Sequence, residues 1–232
     1  MVDSSDRLPA SVQTLAECFR DAGYATFATS SVPFTGKLSN LHQGLEVLHE
    51  RSSLEGDVGS KTARPFVDRF LDWLERHRDV PFYARLHVFD PHSPFEPRRP
   101  WDTRFAGPGA KAAHEELVEQ AREVMEEPSR KARGLPWPTE PQEAGVDPDA
   151  FTRTEKDWYD ASIRAMDAEI GRVMERLEEY GLADRVIVAV VADHGEEFHE
   201  HEGWWHGLTL YEEQIHVPLL VKWPAGQRGA PE

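Results

Sequence analysis

Seven consecutive apolar residues, Val186–Ala192, form the stretch of this chain that most restricts its fold. The run lacks the polar alternation of a half-exposed strand, and it is typical of a strand that is buried on both faces. Strands of this kind occur in parallel sheets that helices cover on both sides. The run therefore predicts an α/β protein in which this strand lies inside a covered sheet.

The rest of the chain alternates helical and extended patterns. Apolar residues that recur at three- or four-residue steps predict three helices, and extended apolar segments predict further strands. The predicted helices cover residues 11–22, 62–78 and 154–180, and the predicted strands cover residues 24–29, 82–90 and 217–223. This order predicts a mostly parallel sheet with helices on both faces. Ligands of such sheets bind beyond the carboxyl ends of the strands, which points to the loops after Asp90 and Ala192.

Charge and composition limit the partners of the chain. The formal net charge is −16, so a nucleic-acid partner, which requires a basic face, is not expected. No stretch approaches the roughly 20 apolar residues of a membrane helix, and the first residues contain no apolar signal core. We expect a soluble chain, and its single cysteine, Cys18, excludes an internal disulfide framework.

Residues 97–150 differ in composition from the flanking sequence. They are rich in proline and contain a Lys/Glu-rich helical patch near residues 110–127. We interpret them as an insertion that leaves the main sheet, either a lid or partner surface or a surface insertion without chemistry.

The loop after the apolar run contains the residues best suited to bind a metal. Asp193 and His194 follow the strand directly, and Gly195 allows the backbone to turn sharply there. A carboxylate and an imidazole at the tip of a strand can bind a divalent cation. The alternating residues His199–Glu202 resemble an extra metal cluster, but we interpret them as a mobile polar loop outside the site.

Several segments, taken in order, resemble the sulfatase family of the alkaline phosphatase superfamily. Thr14–Glu17 and Ala22–Thr26 are similar to the segment that follows the family's nucleophile. Asp90–Phe95 resembles its substrate-side histidine loop. Similarity to the second half of the family's sequence is found in four segments, Tyr159–Asp167, Ile170–Gly171, Val186–Glu196 and Leu210–Leu219.

The resemblance implies roles for four residues. Asp193 and His194 match the family's carboxyl-terminal metal pair, which implies calcium, with manganese or zinc as alternatives. His92 matches the histidine that contacts the substrate. His206 lies twelve residues after His194, where many sulfatases have a lysine that binds the sulfate. A histidine at that position could bind the anion or protonate the leaving oxygen.

Two parts of the family pattern are absent from the sequence. The nucleophile motif Cys/Ser-x-Pro-x-Arg does not occur, and no two aspartates are adjacent. We therefore expect residues 1–232 to be a partial sulfatase-type catalytic domain with an alkaline phosphatase-like fold that is incomplete at both ends. We expect a formylglycine nucleophile to be supplied upstream and the chain to be inactive alone. The implied substrate is a small-molecule or saccharide sulfate ester.

Three functions remain open from the sequence. The first is the sulfatase-type hydrolase. The second is a phosphodiester or phosphonate hydrolase, or a phospho-group transferase, of the same superfamily. The third is a non-catalytic remnant that binds anions or a partner.

Overall fold

The computed structural model of this chain describes residues 7–56, 61–95, 97, 99–107, 109–128, 131 and 139–226. The chain divides into two compact units. The first unit comprises Met1–His92 and Met166–Ala183, and the second comprises Ser93–Ala165 and Asp184–Glu232.

A three-stranded parallel sheet forms the centre of the first unit. Strand β1 (Ala25–Ser30) lies between β2 (Val47–Glu50) and β3 (Phe82–Leu86), and it runs parallel to both. Two helices accompany this sheet, α1 (Leu15–Asp21) and α2 (Ala63–His77). The parallel arrangement confirms the α/β fold that the sequence predicts.

The two helices cover opposite faces of this sheet. Phe27 of β1 contacts Trp73 of α2, with ring centroids 5.1 Å apart. Tyr83 of β3 pairs with Thr26, the neighbour of Phe27, and its ring stacks on Phe19 of α1 at 4.9 Å. Because successive side chains of a strand point to opposite faces, α1 and α2 lie on different sides of the sheet. The predicted double coverage is therefore present in the first unit.

The second unit combines helices with short antiparallel pairs. Helix α3 spans Ala110–Arg122 and α4 spans Glu140–Glu143, whereas α5 (Pro148–Glu179) begins in this unit and ends in the first. Strand β4 (Val188–Val191) pairs with β7 (Leu219–Lys222), and β5 (Glu197–Phe198) pairs with β6 (Trp204–Trp205). A short helix, α6 (Glu212–Ile215), precedes β7.

The apolar run is a strand, but the prediction that both of its faces are buried was wrong for this structure. Among the residues described, β4 pairs only with β7, and the pairing is antiparallel. Val191 and Leu219, which pair across the two strands, are 63% and 67% exposed. Apolar composition shows that a strand favours burial, but it does not show which segments cover it. Here a single partner strand leaves much of the pair in contact with solvent.

The proline-rich segment 97–150 contributes to the core of the second unit. Ala106 packs with Phe95, Trp158 and Phe198, and Val146 packs with two further buried aromatic rings. The described part of this segment is thus integrated into the unit. Among the residues described, no helix combines the length and the apolar composition that crossing a bilayer requires.

Candidate functional site

The loop between β4 and β7, residues 193–218, contains three of the four predicted site residues. It also contains two buried acidic residues, Glu196 and Glu197, which as whole residues are 9% and 1% exposed. Burying a carboxylate is costly unless hydrogen-bond donors surround it. The contacts of these two residues therefore show how the loop is organised.

Asp193 and His194 are arranged in a way that suits metal binding. His194 Nδ1 donates to the carbonyl oxygen of Gly195 at 2.8 Å, and Nε2 lies 3.8 Å from Asp193 Oδ1. A hydrogen bond to a backbone carbonyl through one ring nitrogen sets the tautomer and leaves the other nitrogen as the ligand, which is the usual state of metal-bound histidines. The Asp193 side chain is 84% exposed and can reach an ion from solvent. The donor set therefore fits part of a divalent-cation site.

His206 lies directly beside His194. The two imidazole rings stack with centroids 3.6 Å apart, at an angle of 26°. Nδ1 of His206 lies 2.9 Å from Glu196 Oε1, and because a carboxylate accepts, the histidine donates. This bond fixes the orientation of the His206 ring through its Nδ1 atom. The structure thus brings together one predicted metal ligand and one predicted catalytic residue.

His92 belongs to the first unit, where its local contacts define its position. Its backbone N–H donates to the carbonyl of Phe89 at 2.8 Å, and its ring stacks on the Phe89 ring at 4.2 Å. Lys61 Nζ donates to the carbonyl oxygen of His92 at 3.3 Å. Buried Asp90 accepts from the backbone N–H groups of Thr62 and Ala63 at the start of α2. The role of His92 in substrate contact stays a prediction.

The residues His199–Glu202, which the sequence predicts to lie outside the site, have separate contacts. His199 Nε2 lies 2.9 Å from Gln142 Nε2, and His201 Nε2 lies 3.1 Å from Glu213 Oε2. Lys156 forms an ion pair with Glu200 at 2.9 Å. These contacts connect the segment with α4, α5 and α6.

Glu155 is a buried acid that was not among the residues predicted from sequence. Trp205, the neighbour of His206, donates its indole N–H to Glu155 Oε2 at 3.0 Å, and His114 Nε2 lies 3.3 Å from Oε1. Burial, with a smaller effect of the Glu196 charge, raises the pKa of Glu155 to about 7. Burial lowers the pKa of His114 to about 4. Both groups therefore favour their neutral forms in this contact.

A sequence signal for Glu155 exists. The residue lies on the same helix face as Phe151 and Trp158, both of which are buried. An acidic residue at the spacing of an apolar stripe is expected to have buried partners, since helical neighbours lie three and four residues apart.

The family model and the curated relatives that match this chain agree on one family. The family model described as Sulfatase matches residues 1–231. Iduronate 2-sulfatase of Homo sapiens is 33% identical over 88 residues, which cover 38% of this chain and 16% of that protein. The chain therefore aligns with only a small part of this curated relative.

Solved structures share the fold over nearly the whole chain. The phosphonate monoester hydrolase SpPMH from Silicibacter pomeroyi superimposes with a TM-score of 0.67 at 18% identity, over 97% of this chain and 55% of its own. The structure of BT4656 in complex with its substrate, D-glucosamine-2-N,6-O-disulfate, superimposes with a TM-score of 0.61 at 20% identity, over 96% of this chain and 57% of its own. This chain spans little more than half the length of these neighbours.

Proposed function

Because this chain belongs to the Sulfatase family, we propose that it forms part of a sulfatase-type hydrolase that cleaves sulfate esters. In this proposal Asp193 and His194 bind the metal, and His206 acts on the leaving group. The observation that carries the proposal is the contact of His206 with both His194 and buried Glu196. The substrate class that we propose is a small-molecule or saccharide sulfate ester.

The metal would be held by Asp193 Oδ1 and His194 Nε2 together with ligands from other residues. A divalent cation, calcium with manganese or zinc as alternatives, supplies positive charge to an ester oxygen when it is bound. Calcium takes six to eight oxygen ligands, so two residues fill only part of its shell. We propose that a formylglycine nucleophile comes from polypeptide upstream of Met1, because the 232-residue sequence contains no Cys/Ser-x-Pro-x-Arg motif.

His206 would protonate the oxygen of the departing alcohol. Its Nδ1 is engaged with Glu196, so the proton would pass from Nε2. A carboxylate on the opposite ring nitrogen keeps the ring in one orientation, which a proton donor needs. His92 would contact the substrate in the same proposal.

The first test measures turnover and binding with the purified chain. With calcium, manganese or zinc present, we expect no hydrolysis of 4-nitrophenyl sulfate, because covalent catalysis requires the nucleophile. We expect the ester to bind weakly, and we expect His206→Ala to reduce that binding whereas His216→Ala, at an 81% exposed position, does not. Turnover by the pure chain, or an ester affinity that is unchanged in His206→Ala, would contradict the proposal.

A second candidate is a phosphonate or phosphodiester hydrolase, or a phospho-group transferase, of the same superfamily. The observation that favours it is His206 itself, because many sulfatases have lysine at this position. Phenylphosphonate and bis(4-nitrophenyl) phosphate distinguish the two candidates. Tighter binding of these compounds than of 4-nitrophenyl sulfate would support the second. Binding of all three anions with equal affinity would support a non-catalytic anion-binding role.

A further inference from the structure

Glu197 is the most completely buried acid of the described loop, and neutral donors satisfy it. Oε1 accepts from the backbone N–H groups of His201 at 3.2 Å and Gly203 at 3.1 Å. Oε2 accepts from Gln214 Nε2 at 2.7 Å and from Thr209 Oγ1 at 3.4 Å. A buried carboxylate with several donors of this kind is strongly held by charge-assisted hydrogen bonds. The loop is therefore folded around this side chain.

Gln214 extends this network to the two histidines of the candidate site. Its side-chain Oε1 accepts from the backbone N–H of Gly207, the residue after His206, at 3.0 Å. Its backbone carbonyl accepts from the N–H of Gly195, the residue after His194, at 2.8 Å. The position of Gln214 therefore fixes the backbone next to both rings, and Glu197 in turn fixes the Gln214 side chain.

We propose that Glu197 is the positioning residue for His206. It orients Gln214, which holds the backbone at Gly207 and so keeps the His206 ring against His194. The proposal rests on the proposed function, since the placement matters for catalysis only if His206 acts on substrate. Glu197 itself contacts neither His194 nor His206 in the hydrogen bonds described above.

The polarity of the Glu197–Gln214 pair provides a sharp test. In Glu197→Gln, the new amide NH₂ must face either the two backbone donors or the Gln214 amide, so a donor meets a donor. Adding Gln214→Glu reverses the pair. The carbonyl of residue 197 then accepts from His201 and Gly203, its NH₂ donates to residue 214, and the carboxylate at 214 accepts from Gly207. The exchanged pair therefore satisfies the same backbone groups.

The experiment compares the wild-type chain, Glu197→Gln, the double exchange Glu197→Gln/Gln214→Glu and the control Glu202→Gln. Glu202 is an exposed acid of the same loop, so the control makes the same charge change without the network. The first measurement is the NMR cross-peak between the ring protons of His194 and His206. The second is the affinity for 4-nitrophenyl sulfate.

We expect Glu197→Gln to lose the cross-peak and to weaken ester binding at least about tenfold, because a hydrogen bond to a charged group contributes more than that factor. We expect the double exchange to restore both, and Glu202→Gln to leave both unchanged. If Glu197→Gln does not fold, the double exchange alone tests the positioning role. The proposal then requires that the double variant folds and shows the cross-peak.

An unchanged cross-peak in Glu197→Gln, or a double exchange that fails to restore it, would overturn the positioning role. The ring contact is measured without substrate, so it tests positioning independently of the chemistry. If the cross-peak behaves as expected but the wild-type chain binds no ester, the positioning role stands and the proposed function fails.

Discussion

The carboxylate of Glu196 lies 2.9 Å from Nδ1 of His206, and its side chain is only 3% exposed. The histidine side chain is 21% exposed, so a partly accessible imidazole is anchored on a buried acid. An anchor of this kind holds the imidazole ring in place through one of its two nitrogens. It also means that His206 contributes to the stability of the second unit.

We expect His206→Ala to lower the free energy of unfolding by roughly 1–3 kcal/mol, because it removes a donor from a buried carboxylate. Urea unfolding followed by circular dichroism measures the change. His216→Ala is the matched control, because that side chain is 81% exposed and lies 3.6 Å from an equally exposed Glu212. The control is expected to change stability by less than about 0.5 kcal/mol. Equal effects of the two substitutions would argue against the anchor.

Gly195 occupies a position where a side chain does not fit. A Cβ atom at this residue would lie 2.1 Å from the carbonyl oxygen of Glu213. The backbone N–H of Gly195 donates to the carbonyl oxygen of Gln214 at 2.8 Å. We expect Gly195→Ala to destabilise the chain by about 1–3 kcal/mol, because the backbone of α6 must move to accept the methyl group. Differential scanning calorimetry measures the loss.

The control for this prediction is Gly171→Ala, in the interior of α5. Apart from the chain neighbours and the adjacent helix backbone, no atom of the described residues lies within 4 Å of the Cβ position there, so alanine is expected to stabilise the helix by about 0.5–1 kcal/mol. The two glycine substitutions should thus shift the melting temperature in opposite directions. A stabilising effect of Gly195→Ala would show that the close approach to Glu213 is absent in solution.

Much of the first unit could be predicted from sequence because its elements have strong periodic patterns. Helix α2 was expected over residues 62–78 and spans Ala63–His77. Strand β2 (Val47–Glu50) was missed, since four residues that include His49 and Glu50 show no apolar alternation. Such a short strand is specified by its pairing with β1, which local sequence does not reveal.

The start of α5 shows a different limit. The sequence Thr154-x-x-Asp157 resembles a capping box and predicts a helix that begins there, yet α5 begins at Pro148. The Thr154 hydroxyl donates to the carbonyl of Phe151 at 2.9 Å, within the helix. Because threonine can bond back to the preceding turn as well as cap a helix, the motif alone does not determine the boundary.

Residues of the candidate site could be predicted where their position after a strand determines their location. They could not be predicted where long-range packing determines their burial. Asp193 and His194 follow a strand directly, so their location at its tip could be inferred. Glu196 and Glu197 are ordinary acidic residues by sequence, and their burial depends on donors up to 17 positions away, as in the contact of Glu197 with Gln214. Long-range contacts of this kind leave no local pattern.

Metal binding by this chain is expected to be weak and to depend on Asp193. Two residues cannot fill the shell of calcium, so we expect only low affinity for Ca²⁺ or Mn²⁺ in isothermal titration calorimetry. Asp193→Ala should abolish what binding there is. Asp79→Ala, which removes a 94% exposed aspartate of the first unit, should leave it unchanged. An affinity that is the same in Asp193→Ala and wild type would place the metal elsewhere.

Glu155 and His114 give the second unit two opposing pH dependences. The pKa of Glu155 is raised to about 7, chiefly by burial, so the folded state keeps a proton that the unfolded chain releases from about pH 4.5. This makes the free energy of unfolding fall as pH rises toward 7. The pKa of His114 is lowered to about 4, so the unfolded chain binds a proton that the folded state lacks below about pH 6.5. That effect makes stability rise with pH between about 4 and 6.5.

We expect Glu155→Gln to remove the first dependence and leave the second. At pH 5 the amide replaces a neutral acid, so the free energy of unfolding changes little. At pH 8 the wild type must hold a buried charge, so the variant is expected to be more stable by about 1–3 kcal/mol. Urea unfolding at pH 5, 6, 7 and 8 measures this growing difference. Glu202→Gln replaces an exposed acid, so the difference between its free energy of unfolding and that of the wild type should not vary over this range. If the curves of Glu155→Gln and wild type run parallel from pH 5 to 8, Glu155 is charged throughout, and its contact with His114 is then an ion pair.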